Sequence, residues 1–92
     1  MTDPWFVYIL RCSDDTLYTG ITNEPKRRLA QHNAGTASKC TRSRRPVEMV
    51  YCESVEDKPA ALRREYAIKQ LSRTEKLALI ACQAPDPVSK PQ

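Results

Sequence analysis

Five side chains in this 92-residue sequence are the ones whose types and spacing could do chemistry: Tyr8, Tyr18, Arg28, His32 and Glu65. Glu65 shares a helical face with Ala61 and Ile68, at i, i+4 and i+7, so it sits on or beside an apolar stripe. An inward carboxylate needs a hydrogen-bonding partner, a cation or a metal, because isolated burial of its charge is costly. A salt bridge to Arg11 or Lys69 would meet that need. So would a hard divalent ion such as Mg²⁺, which takes only one or two protein carboxylates when phosphate and water supply the rest. Arg28 and His32 are four residues apart and share a helix face. Taken as an isolated pair, they read as solvated. Tyr8 and Tyr18 have the same parity along the chain, so an even register sum between their strands puts both on one side of the ribbon. Taken singly, each tyrosine reads as a core residue with its hydroxyl at the rim.

The elements that must hold these groups follow from local pattern. Residues 5–12, WFVYILRC, are β-branched and aromatic and predict a strand. Ser13-Asp14-Asp15 is a turn cluster, and residues 17–22, LYTGIT, predict a second strand that closes a hairpin. Thr22 or Asn23 can cap the following helix, with Pro25 in its first turn, Leu29 and Ala30 on its apolar side, and Gly35 as the residue after its end. Residues 36–45 have no apolar periodicity and read as a basic loop. Residues 47–54, VEMVYCES, predict a third strand. Asp57 caps the helix that carries Glu65, and Ser72-Arg73-Thr74-Glu75 is a capping box that starts another. The expected fold class is α+β: a small three-stranded, mainly antiparallel sheet flanked by helices in the order β-β-α-β-α-α. One domain over residues 1–82 and a Pro-rich tail over 83–92 account for the chain.

Charge is unevenly spread. The net charge is +4, yet Lys26, Arg27, Arg28, Lys39, Arg42, Arg44 and Arg45 fall in one stretch that has no acid. The remainder is net acidic. Such a segment suits a polyanion, nucleic acid first. Only Gly20 and Gly35 are available, so no glycine-rich nucleotide loop can be written. Cys12, Cys40, Cys52 and Cys82 are 28, 12 and 30 positions apart, without the close ligand pair of a structural zinc site. They read as reduced thiols, with Cys12 and Cys52 as small strand residues. No apolar run approaches the length of a membrane span, and the N-terminus lacks a signal-peptide pattern, so the expected location is the cytoplasm.

The ordered set of Val7-Tyr8-Ile9, Tyr18-Thr19-Gly20, Asn23, Arg28, His32 and Glu65 resembles the GIY-YIG nuclease domain. The segments YTGITNEPKRRLAQHNAG and ALRREYAIKQLS look like its small single-domain bacterial branch, the YhbQ-like or UPF0213 proteins. The first half-motif reads Val-Tyr-Ile and the second Tyr-Thr-Gly, with both tyrosines kept. The resemblance implies an endonuclease that hydrolyses DNA phosphodiester bonds with one Mg²⁺ or Mn²⁺, little sequence specificity, and a role in DNA repair or recombination. Glu65 would bind the metal. Tyr18 would orient or deprotonate the attacking water, with Tyr8 hydrogen-bonded in the same pocket. Arg28 would hold the scissile phosphate, and His32 would contact phosphate or relay a proton. Gly20 and Asn23 would be structural. Lys26, Arg27, Lys39, Arg42, Arg44, Arg45 and Lys69 would meet the nucleic-acid backbone, of DNA or RNA. The alternatives are a nucleic-acid-binding module without turnover and a nuclease subunit that needs a protein partner.

Overall fold

The run of β-branched and aromatic residues at 5–11 becomes the central strand of the sheet, β1 (Trp5–Arg11). The computed structural model describes residues 4–37 and 39–82, with Lys39 and Cys40 represented by their backbone alone. The expected tail over 83–92 lies outside the described residues. β1 is flanked by β2 (Leu17–Thr22) and β3 (Glu48–Val55), both antiparallel to it, in the order β2-β1-β3. The helices are α1 (Pro25–Ala34), α2 (Lys39–Arg42), α3 (Lys58–Lys69) and α4 (Arg73–Cys82). The expected α+β architecture and its order are observed, with α2 added inside the segment expected to be loop.

Register decides which side chains meet. Tyr8 lies opposite Gly20 and Leu10 opposite Tyr18, so the register sum is even and the two tyrosines share a face. The odd positions Val7 and Ile9 face the other way, into a core with Tyr51, Ala61 and Ile68, against which Leu79 and Ile80 pack. The even positions Tyr8 and Leu10 pack with Cys12, Val47, Met49 and Leu29 of α1. A bulge in the β1–β3 pairing between Ile9 and Leu10 allows both Met49 and Tyr51 to point inward on opposite faces. The sheet is therefore a middle layer, with α1 on the tyrosine face and α3 on the other.

The hairpin turn is built by its polar residues. Asp15 adopts the left-handed region, with φ 70. The Asp14 carboxylate accepts from the Thr16 amide at 3.2 Å and from the Thr16 hydroxyl at 2.6 Å. Both are features that Asp brings to tight turns. α3 begins where expected. Asp57 Oδ1 accepts from the Ala60 amide at 2.9 Å. Such a cap contributes about 1 kcal/mol. The Ser72–Glu75 capping box also forms, each side chain accepting from the other's backbone amide. The start of α1 differs. Its cap position is Glu24, which makes no side-chain cap, while the Thr22 hydroxyl accepts from the Glu24 amide at 3.0 Å in a tight turn before the helix. Asn23 is exposed there. Gly35 ends α1 in the left-handed region, with φ 83, as the sequence indicates. Leu29 is half-buried and Ala30 exposed; the buried residue of α1 is polar, His32.

Candidate active site

Gly20 opens the site. A Cβ at this position would lie 2.5 Å from the Tyr8 hydroxyl oxygen and 2.7 Å from its Cζ. The missing side chain lets the Tyr8 ring lie flat against β2, which carries its hydroxyl to α1. There Tyr8 Oη is 3.0 Å from His32 Nε2. The other ring nitrogen, Nδ1, is 2.8 Å from the Thr41 hydroxyl. Tyr8, His32 and Thr41 are all buried, so a three-member polar chain runs through the tyrosine-face core with both imidazole nitrogens satisfied. Tyr18 meets the same imidazole edge to face, with ring centroids 5.3 Å apart.

Arg28 completes the group. One turn before His32, it donates from Nη1 to the Gln31 side chain at 3.2 Å. Its Nε is buried and has no acceptor among the described residues. Burial raises the Tyr8 phenol above its ordinary value, while the adjacent Arg28 pulls the other way. Burial and the Arg28 charge push His32 down to about 4, so the imidazole is neutral at physiological pH. Glu65 approaches from α3, near enough to raise the Tyr8 phenol electrostatically. Its own direct partner is Lys69, whose Nζ is 3.2 Å from Oε2, and the Glu65 side chain is 20% exposed. Of the two salt-bridge partners expected for Glu65, Lys69 is the one observed; Arg11 pairs with Asp15 and Glu48.

The neutral imidazole has a measurable consequence. Between pH 6.5 and 4 the unfolded chain binds a proton at His32 that the folded protein refuses. Folding stability contributed by this residue is full above pH 6.5 and falls by up to about 3 kcal/mol as pH drops to 4. Thermal unfolding followed by circular dichroism across that window is expected to show the loss, and the His32 ring protons to show no titration shift above pH 5 in NMR spectra.

The basic residues divide. Lys26 is exposed on α1. Arg27 is 3.9 Å from Glu24. Arg44 is drawn into the fold: its Nε donates to Asp14 at 2.9 Å, and its carbonyl accepts from Ser13. Arg45 donates to the carbonyls of Arg42 and Asn33, closing the end of α1. Arg42 is exposed, and the Lys39 side chain lies outside the described residues. Within the segment expected to face a polyanion, Arg44 and Arg45 also tie the chain to the hairpin and to α1. Sequence reasoning missed Thr41. It sits in a helix of four residues, too short for any periodicity to show. Among the described residues, no group of three or more His, Cys, Asp or Glu side chains could hold a metal. Nor is any described helix long and apolar enough to cross a membrane.

Comparison with known proteins matches residues 4–78 to the GIY-YIG catalytic domain. The UPF0213 protein DP2720 of Desulfotalea psychrophila is 54% identical over 77 residues, covering 83% of this chain and 70% of that protein. The UPF0213 protein VNG_2274C of Halobacterium salinarum is 55% identical over 73 residues, covering 79% and 95%. The solution structure of the UPF0213 protein BH0048 from Bacillus halodurans superposes with a TM-score of 0.58 at 39% identity, covering 87% of this chain and 85% of that one. With the two tyrosines, the arginine and the histidine gathered at one place on a three-stranded sheet, and a match that spans most of its length, the chain belongs to the GIY-YIG catalytic-domain family, among its UPF0213 members.

Proposed function

We propose that this protein is an endonuclease that hydrolyses DNA phosphodiester bonds with one Mg²⁺ or Mn²⁺ ion, and with little sequence specificity. The observation that carries the reading is the convergence of Tyr8, Tyr18, Arg28 and His32, with Glu65 in electrostatic reach, in a chain of this catalytic family. A metal held by three protein ligands does not fit the described residues. One partly exposed carboxylate does fit a hard ion that takes its other ligands from phosphate and water. Glu65 would hold it. When bound there, such an ion supplies charge stabilisation to the phosphoryl oxygens and the leaving group.

The remaining chemistry belongs to this chain's own side chains. The buried Arg28 Nε lacks an acceptor among the described residues, and a phosphate oxygen would satisfy it with a charge-assisted hydrogen bond. Charge that develops on that phosphate in the transition state strengthens the interaction. The raised Tyr8 phenol keeps its proton, so Tyr8 is a hydrogen-bonding group and not a base. Tyr18 is the phenol left to orient the attacking water. Neutral His32 can either accept from Tyr8 and donate to Thr41, or donate to Tyr8 and accept from Thr41. In both directions each imidazole nitrogen is paired, so the chain holds the ring neutral and fixes its orientation beside Arg28.

Nicking of supercoiled plasmid tests the reading. Activity is expected with Mg²⁺ or Mn²⁺, to vanish in EDTA, and to fall by roughly 10²–10⁴-fold in Tyr18→Phe. Binding without cleavage in any metal would replace this reading with the non-catalytic nucleic-acid module. Backbone contacts carry affinity without sequence information, so binding should weaken steeply with salt. A role in DNA repair or recombination is part of the proposal.

A further inference from the structure

Beside the candidate active site lies an open groove of about 440 Å³. That is within the range of roughly 300–1,000 Å³ typical of small-molecule sites. One wall is Trp5, Ile21 and Lys58; the other is Arg27, Arg28 and Gln31. Arg28 belongs to both places, so the groove continues directly from the guanidinium proposed to hold the scissile phosphate. The chemistry of its walls is mixed in a specific way. Trp5 is half-buried against the core and offers an aromatic face. Lys58 Nζ lies over that ring, 5.4 Å from its centroid. A cation so placed is attracted by the ring's negative face. Arg27 and Lys58 are exposed cations, and the one acid, Glu24, is paired with Arg27 at 3.9 Å. The amides of Asn23 and Gln31 add donors and acceptors at the rim.

An aromatic face, side-chain amides and a surplus of cations are the three things that a nucleotide needs: a surface for its base, partners for the base edge, and charge for its phosphate. We propose that this groove is a nucleotide subsite that takes the residue flanking the cut phosphate, its base against Trp5 and its own phosphate between Arg27 and Lys58. The inference rests on the nuclease reading for the word "flanking", and on the groove alone for the binding. The ammonium of Lys58 shifts from the ring to the phosphate when the base arrives.

Trp5 is the single tryptophan of the chain, so intrinsic tryptophan fluorescence carries a signal from this groove. The full-length protein in EDTA, where no cleavage step contributes, is titrated with a short oligothymidylate at low salt. Saturable quenching of Trp5 is expected, with anisotropy of a labelled oligonucleotide giving the same midpoint. Lys58→Ala and Arg27→Ala, both at exposed positions, are each expected to weaken binding several-fold and to flatten its salt dependence. An abasic phosphodiester of the same length is expected to bind about 5- to 100-fold more weakly and to leave Trp5 unquenched. Binding with unchanged Trp5 fluorescence, or equal affinity for the abasic chain, overturns the subsite. Either result leaves the nuclease reading intact, since plasmid nicking is scored separately; conversely, quenching in a protein that never cuts retains the subsite and removes the nuclease.

Discussion

Glu65→Gln is expected to lower the cleavage rate at least a hundred-fold while leaving the unfolding midpoint nearly unchanged. The substitution keeps the length and shape of the side chain and removes only its charge. The stability term at risk is the Lys69 pair, whose partners are 53% and 20% exposed and which lie one turn apart on α3. Pairs of that kind are worth about 0–1 kcal/mol. The catalytic term is larger. Removing one electrostatic group from a transition state costs roughly 10²–10³ in rate. A hard ion also loses affinity when its one protein carboxylate becomes an amide. The two readouts should therefore separate: Mg²⁺-dependent nicking lost, thermal melt retained. A purified Glu65→Gln protein that nicks as fast as wild type would remove Glu65 from the site. A variant that melts far earlier would show instead that the Lys69 pair is a structural necessity.

Gly20→Ala is expected to destabilise the fold by about 2–4 kcal/mol, a fall of roughly 10–20 °C in a domain of this size. The sign is informative, because glycine inside a strand ordinarily weakens it and alanine would restore some of that loss. Here the new methyl would sit 2.5 Å from Tyr8 Oη and 3.2 Å from Cε1. The ring that must retreat is 1% exposed and is held by its bond to His32. Moving it either strains the core or leaves the buried imidazole nitrogen without its partner. Cleavage should fall with it, since Tyr8, His32 and Tyr18 share one contact set. Unchanged melting of Gly20→Ala would mean that the Tyr8 ring does not lie against β2.

Much of this arrangement could be read from the chain alone. Asp57 and Ser72–Glu75 carry their caps in local spacing, and both caps form. Glu65 could be placed beside the stripe of Ala61 and Ile68 because helical periodicity needs only neighbours one or two turns away. The common face of Tyr8 and Tyr18 was legible only conditionally: parity is local, but the register that makes it count is set by the turn at Asp14-Asp15. What escaped notice depends on partners distant in sequence. Arg44 reaches Asp14 thirty residues away, and Arg45 reaches Asn33. A run of unopposed cations looks the same in sequence whether it faces phosphate or the protein's own carbonyls. Thr41 is a stronger case. Its significance lies entirely in the imidazole nitrogen nine residues earlier, and a single threonine in a basic stretch carries no pattern.

The polar chain of Tyr8, His32 and Thr41 joins parts of the protein that should open on very different timescales. Tyr8 belongs to the strand whose backbone is hydrogen-bonded on both sides, and amides in such a strand exchange with deuterium only when the whole domain unfolds. Thr41 belongs to a four-residue helix whose packing is chiefly against α1, and amides there exchange through local opening. His32 is the hinge between these regimes. Local opening of α2 is expected to release Nδ1 of the ring while Tyr8 still holds Nε2, giving the imidazole a solvent-facing side without movement of the central strand. Deuterium uptake at α2 is expected to report how often the interior of the site opens to bulk protons.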